Sequence, residues 1–194
     1  MAAVTSIKTH RKGIFLLLLV TIIWGTSFPV LKDTLSSVHP TVLIAVRYSI
    51  AAMALLPWLR RMNYPLLRDG MLLGSILFFE TTCALRGLET ISASRSAFIV
   101  GLNVILVPFL GTLMGIQLPG RVLVAAGLAR VGMSAMSWDG GGLSMGDVLT
   151  MASAIGIAIY IVLLETIAPR HESLPLAATQ VWFVFLLSGL WALP

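Results

Sequence analysis

Apolar residues in this chain fall in long unbroken runs, with no helical stripe or strand alternation. Seven runs stand out: Gly13–Leu31, Pro40–Leu59, Gly70–Leu85, Ser96–Gly120, Val122–Trp138, Val148–Leu164 and Ser173–Pro194. Each is close to the roughly 17–25 residues an α-helix needs to cross a hydrocarbon core of about 30 Å. A membrane barrel would require apolar and polar residues in alternation. The pattern therefore predicts an all-α membrane protein, a bundle of seven transmembrane helices. Punctuation agrees: His39-Pro40 opens the second run, Pro57 closes it, Pro119-Gly120 divides the fourth from the fifth, and Pro169 stops the sixth.

Composition removes the soluble alternative. The 194 residues are 58% hydrophobic and only 11% charged, whereas soluble domains carry about 25% charged residues. The net charge of +5 is explained by where Lys and Arg fall. Lys8, Arg11, Lys12, Arg60, Arg61, Arg68, Arg121 and Arg170 lie on one set of alternate connections, against Lys32, Arg86 and Arg95 on the other. This asymmetry predicts a multi-pass protein of the cell (inner) membrane with a cytoplasmic N-terminus, and calls for no nucleic acid partner. The basic start before an apolar run resembles a signal peptide, but no small-x-small site follows and the run exceeds a signal core, so it reads as a retained first helix. The single cysteine, Cys83, allows no internal disulfide.

Connections are short, so no soluble domain is expected. The chain divides into a cytoplasmic segment (1–12), a five-helix unit (13–138), a Gly-rich linker (139–146) and a two-helix unit (147–194). A shift of 133 places Gly13 on Gly146 and Leu31 on Leu164, and a shift of 135 places Pro40 on Pro175. More telling is the order of helix, short polar loop and Pro-initiated helix, which occurs at the start and again after the linker. A period of five helices inverts the second copy, as in many secondary transporters.

Trp24-Gly25-Thr26-Ser27-Phe28, Arg47-Tyr48, Ala84-Leu85-Arg86-Gly87-Leu88, the stretch Ser92-Ala93-Ser94-Arg95-Ser96-Ala97-Phe98-Ile99, Asn103 and Pro108 together resemble the EamA branch of the drug/metabolite transporter superfamily. The resemblance implies a ten-helix protein of two inverted five-helix repeats, moving small metabolites such as amino acids by alternating access, here as an exporter. This chain ends after the second helix of the second repeat, and Gly115-Ile116-Gln117-Leu118 lacks the acidic residue the family often has there. A C-terminally truncated remnant that inserts without transporting is the alternative expectation. The expected partners are the bilayer and a small-molecule metabolite, with a homodimer as one way to supply further helices. No enzyme activity, cofactor or metal site is expected.

Within the bilayer, Arg47, Glu80 and Arg130 stand out, because an ionised side chain there costs about 2.5–3.5 kcal/mol even on the lenient scale. Their depths, at 1.5 Å rise per residue, allow Glu80 to meet either arginine. They read as a substrate- or proton-responsive site or as structural charges, with Arg130 the candidate for a structural ion pair. Pro29 and Pro108 each remove a backbone donor, which either interrupts the first and fourth helices at a cavity or leaves an ordinary kink. Trp24 and Phe28 share a helix face and line a cavity or merely pack; Asn103 contacts substrate or bonds to another helix.

Other signals are discounted. Gly142-Leu-Ser-Met-Gly146 matches a nucleophile elbow but lacks the strand that must precede it. Gly70-x-x-x-Gly74 and Gly111-x-x-x-Gly115 fit close helix packing. His10, His39 and His171 have no shared metal spacing. A retinal protein would need a lysine in its last helix, which is absent, and an intramembrane hydrolase a Ser, His or carboxylate group at matched depth, and no histidine lies inside a span.

Overall fold

The computed structural model describes residues 2–113 and 144–192, with isolated helical positions at 120, 124, 127, 128 and 131. Its helices are α1 (Ala2–Leu35), α2 (Pro40–Leu55), α3 (Tyr64–Thr90), α4 (Ala93–Gly101), α5 (Asn103–Leu113), α6 (Met145–Ile167) and α7 (Ser173–Ala192). Short 3₁₀ turns, Leu56–Arg61 and Ala168–Arg170, extend α2 and α6. Six stretches among the described residues are long and apolar enough to span a membrane, with α4 and α5 together forming one of them. They coincide with six of the seven expected spans. The other, Val122–Trp138, lies outside the described residues apart from the isolated positions, and so do Arg130 and linker residues 139–143.

Side chains close the open amides at the helix starts. The His39 ring accepts from the Thr41 amide before α2, Asn63 Oδ1 accepts from Leu66 N at 2.9 Å before α3, and Ser92 Oγ accepts from Arg95 N before α4. At α6 the cap is reciprocal: Ser144 Oγ accepts from Asp147 N while Asp147 Oδ2 accepts from Ser144 N at 2.7 Å. Ser144, the middle of the apparent nucleophile elbow, is thus a helix cap.

The two prolines leave their helices continuous, contrary to one of the two expectations. α1 runs unbroken through Pro29, and α5 holds Pro108 in its interior. The fourth span breaks at Leu102 instead, where tight three-residue bonds, Leu102 N to Ile99 O and Ile105 N to Leu102 O, replace the regular ladder. The break follows Gly101, whose backbone entropy weakens a helix, and sits a turn and a half before the proline.

α3 is the central strut. Its principal neighbours are α6 and α7; α2 also packs on α7, and α4 and α5 lie against α6. Small residues set the separations. Gly70 and Gly74 face α7, where a Cβ on Gly74 would stand 3.0 Å from the Gln180 carbonyl and Phe183 Cβ. Gly87 meets Thr150 and the Gly146 carbonyl, and Gly146 in turn meets Thr90 and Ile91, on a second face toward α6. Without a hydrophobic effect between helices in lipid, such close approach supplies the packing attraction. Buried Leu66, Leu73, Ile167 and Leu176 fill one end of the bundle, and Ile44, Leu85 and Val184 fill space toward the other.

Polar contacts sort the helix ends onto two sides. On the first, Lys32 Nζ at the end of α1 donates to the Leu88 and Glu89 carbonyls of α3 (2.7 and 2.9 Å), Arg95 of α4 pairs with Asp147 of α6, and Arg86 lies 5.5 Å from the centre of the Trp191 ring at the end of α7. On the second, Asp69 near the start of α3 meets His171 after α6 at 2.9 Å. α1 ends and α6 begins on the same side, so the two run oppositely through the bundle.

Candidate functional site

Glu80 sits near the middle of α3 on the face that meets α6. It is partly buried, and Gly156 makes room for it: a Cβ there would lie 3.2 Å from Glu80 Cβ. Its carboxyl accepts hydrogen bonds from two helices, and a third joins the cluster through one of the donors. Thr81 Oγ1 donates to Oε2 at 3.1 Å, Ser153 Oγ of α6 donates to Oε1 at 3.2 Å, and Tyr48 OH of α2 bonds to Thr81 Oγ1 at 3.2 Å. Because Thr81 gives its single proton to Glu80, Tyr48 is the donor in that last bond. Farther along the α6–α7 contact, Tyr160 OH donates to Gln180 Oε1 at 2.7 Å.

Of the two arginines expected to meet Glu80, only Arg47 falls among the described residues, and it does not pair with the carboxyl. Arg47 is exposed on α2 and forms no ion pair with Glu80, because one residue along a helix is a rotation of about 100° and it is Tyr48 that turns inward. Arg130 lies outside the described residues. Trp24 is 59% exposed and Phe28 partly buried on α1, so the cluster at Glu80 does not include them. Asn103 opens α5 just after the break, and Pro108 lies further along the same helix. The structure thus gathers Glu80 with Tyr48, Thr81 and Ser153. Of the three hydroxyls only Tyr48 belongs to a motif singled out in the sequence; the others carry a weaker signal, since Ser153 and Gly156 share one face of α6.

Two buried hydroxyls, Thr82 Oγ1 on α3 and Ser96 Oγ on α4, have no hydrogen-bond partner among the described residues. Beside the Arg95–Asp147 pair, an open groove of about 600 Å³ is lined by Phe98, Leu102, Met151 and Ile155. The pair itself is bidentate, Nε to Oδ1 at 2.7 Å and an η-nitrogen to Oδ2 at 2.9 Å. With the two charges neutralising one another, the groove presents mainly apolar surface. Among the described residues no group of His, Cys, Asp and Glu is arranged to hold a metal.

The fold and site thus define a polytopic helical membrane protein with a polar centre at mid-depth. Residues 11–138 match the EamA-like transporter family, and the chain belongs to that family. An uncharacterized transporter from Archaeoglobus fulgidus is 30% identical over 174 residues, which cover 89% of this chain and 55% of that protein. The chain thus spans about half the length of this relative. No solved structure matches.

Proposed function

We propose that this chain forms the substrate-handling core of a small-molecule exporter, taking amino acids or related metabolites across the cell inner membrane by alternating access. The observation that carries the reading is the Glu80 cluster. A carboxyl and three hydroxyls converge at mid-membrane from helices of both sequence units, α2 and α3 on one side and α6 on the other. An ionisable group in that position marks a pathway by default, and family membership supplies the class of activity. The opposite courses of α1 and α6 support the inverted-repeat reading, in which the site lies between units that rock against each other. The hydroxyls of Thr82 and Ser96, without a partner among the described residues, are further bonding positions for a polar solute.

Equilibrium binding of a labelled amino-acid and metabolite panel to the purified chain in lipid nanodiscs tests the site. Saturable binding that is lost in Glu80→Gln and weakened in Tyr48→Phe is expected, and no saturable binding to the wild-type chain refutes it. Orientation is tested with single cysteines at Ser6 and Ser144 in a Cys83→Ser background. An impermeant thiol reagent on intact cells should label Ser144 and spare Ser6; the reverse pattern inverts the topology.

A further inference from the structure

Hydroxyls inside apolar helices ordinarily bond to their own backbone one turn back, and this protein shows the habit repeatedly. Thr26, Ser27, Thr34, Ser75, Thr150 and Thr179 each donate to the carbonyl four residues earlier. Thr81 and Ser153 depart from it, and both turn to the Glu80 carboxyl. A guanidinium or ammonium in their place would hold the carboxyl permanently ionised. Hydroxyls do not, because each can donate or accept.

We propose that Glu80 is a proton-binding site built at mid-membrane, with the Thr81 and Ser153 hydroxyls as partners that serve both its ionised and its neutral form. With the carboxylate ionised, both hydroxyls donate to it, as in the geometry seen here. With the carboxyl protonated, its O–H donates to one of the two, and that hydroxyl returns its own proton to the carbonyl one turn back, Leu77 or Leu149, as the six hydroxyls named above do. When α3 and α6 part, the carboxyl O–H bond breaks, the proton passes to an entering water as hydronium, and the carboxylate remains. Recapture from hydronium reverses the step.

The groups facing Glu80 are compatible with this exchange. From α2 come Tyr48 and the more distant Arg47, which acts across space without contact; from α3 itself comes Cys83, and from α6 Tyr160. α5 and α7 carry no ionisable side chain along their lengths. Lys32 of α1 and Arg95 of α4 are engaged at the membrane edge. No fixed cation thus touches the carboxyl among the described residues.

The use of this proton as a transport coupling rests on the transporter reading, but its presence is measured separately. Infrared spectra of the purified chain in nanodiscs, with isotope-labelled glutamate carboxyls, should show a protonated-carboxyl stretch that shifts in heavy water, disappears reversibly as pH is raised, and is absent from Glu80→Gln. If that variant fails to fold, Glu80→Asp should move the band from labelled glutamate to labelled aspartate. In Thr81→Val/Ser153→Ala the band should persist to higher pH, since the donors that favour the carboxylate are gone. A wild-type chain without the band at any pH, or a band that survives Glu80→Gln, overturns the proposal. A band without metabolite binding supports the proton site and counts against the transporter site; metabolite binding without the band overturns the proton site alone.

Discussion

α1 and α3 are both long enough to span a membrane, yet they solve the problem of polar groups in lipid in opposite ways. None of the apolar window of α1 is buried, against a third of that of α3. On α1, Thr26, Ser27 and Thr34 satisfy themselves on their own backbone, and a Cβ added to Gly25 would meet nothing within 4 Å. On α3, glycines admit neighbouring helices and Glu80 and Thr81 bond across to them. A polar residue inside a membrane thus becomes a site only where small residues bring a second helix close enough to share it.

Matched substitutions on the two helices are the sharpest way to break this comparison. Gly87→Leu should have the largest effect. Thr150 and the backbone of Gly146 block the added side chain, so the loss should reach the upper end of overpacking costs, about 3 kcal/mol, in reversible unfolding in mixed micelles. Gly25→Leu on α1 should cost less than about 0.5 kcal/mol in the same assay; equal losses would erase the distinction between the helices.

Arg95→Gln comes next. It strands Asp147, whose side chain is 4% exposed against 21% for Arg95. Breaking a fully buried pair costs about 3–5 kcal/mol, and partial exposure of the arginine together with the remaining Ser144 bonds brings the expectation to about 2 kcal/mol. Asp147→Asn in the Arg95→Gln background should recover part of the loss, and no recovery would show that the pair is not coupled. Trp182→Phe, which removes the bond from the indole N–H to the Ala52 carbonyl at 2.9 Å between α7 and α2, should cost about 1 kcal/mol. Smallest of all, Thr26→Val should lie within about 0.5 kcal/mol of wild type, because the hydroxyl it removes bonds only within α1.

Much of this architecture is legible in the chain as written. Unbroken apolar runs locate six spans, and the Gly70–Gly74 spacing marks a real helix contact because backbone proximity demands small residues wherever it occurs. Glu80 is conspicuous because its cost in lipid is independent of its neighbours. Rotation of each helix about its axis is less legible: when apolar residues surround a helix, no stripe says which side faces protein. The charge of Arg47 therefore draws the eye where its neighbour Tyr48 turns inward, and the pairing of Arg95 with Asp147, 52 positions apart, has no local trace. The helix break at Leu102 is not marked by Pro108 either: it follows Gly101, whose backbone entropy weakens a helix.

The Lys32 contact with the end of α3 has an electrical consequence. Its ammonium stands on the carbonyl pole of a helix, where the macrodipole amounts to about half a negative charge. Arg95 on the same side is matched by Asp147, and Arg86 by Glu89 at 3.6 Å. Two cations of the sparsely charged side are therefore matched by carboxylates and the third is partly offset by a helix end; at the opposite side Arg68 is paired with Asp69 at 3.2 Å, whereas Arg60 and Arg170 are exposed. An anionic leaflet and a transmembrane voltage act on uncompensated charge. Among the described residues, one rim thus offers such fields little free charge, and the exposed Arg60 and Arg170 offer theirs at the other.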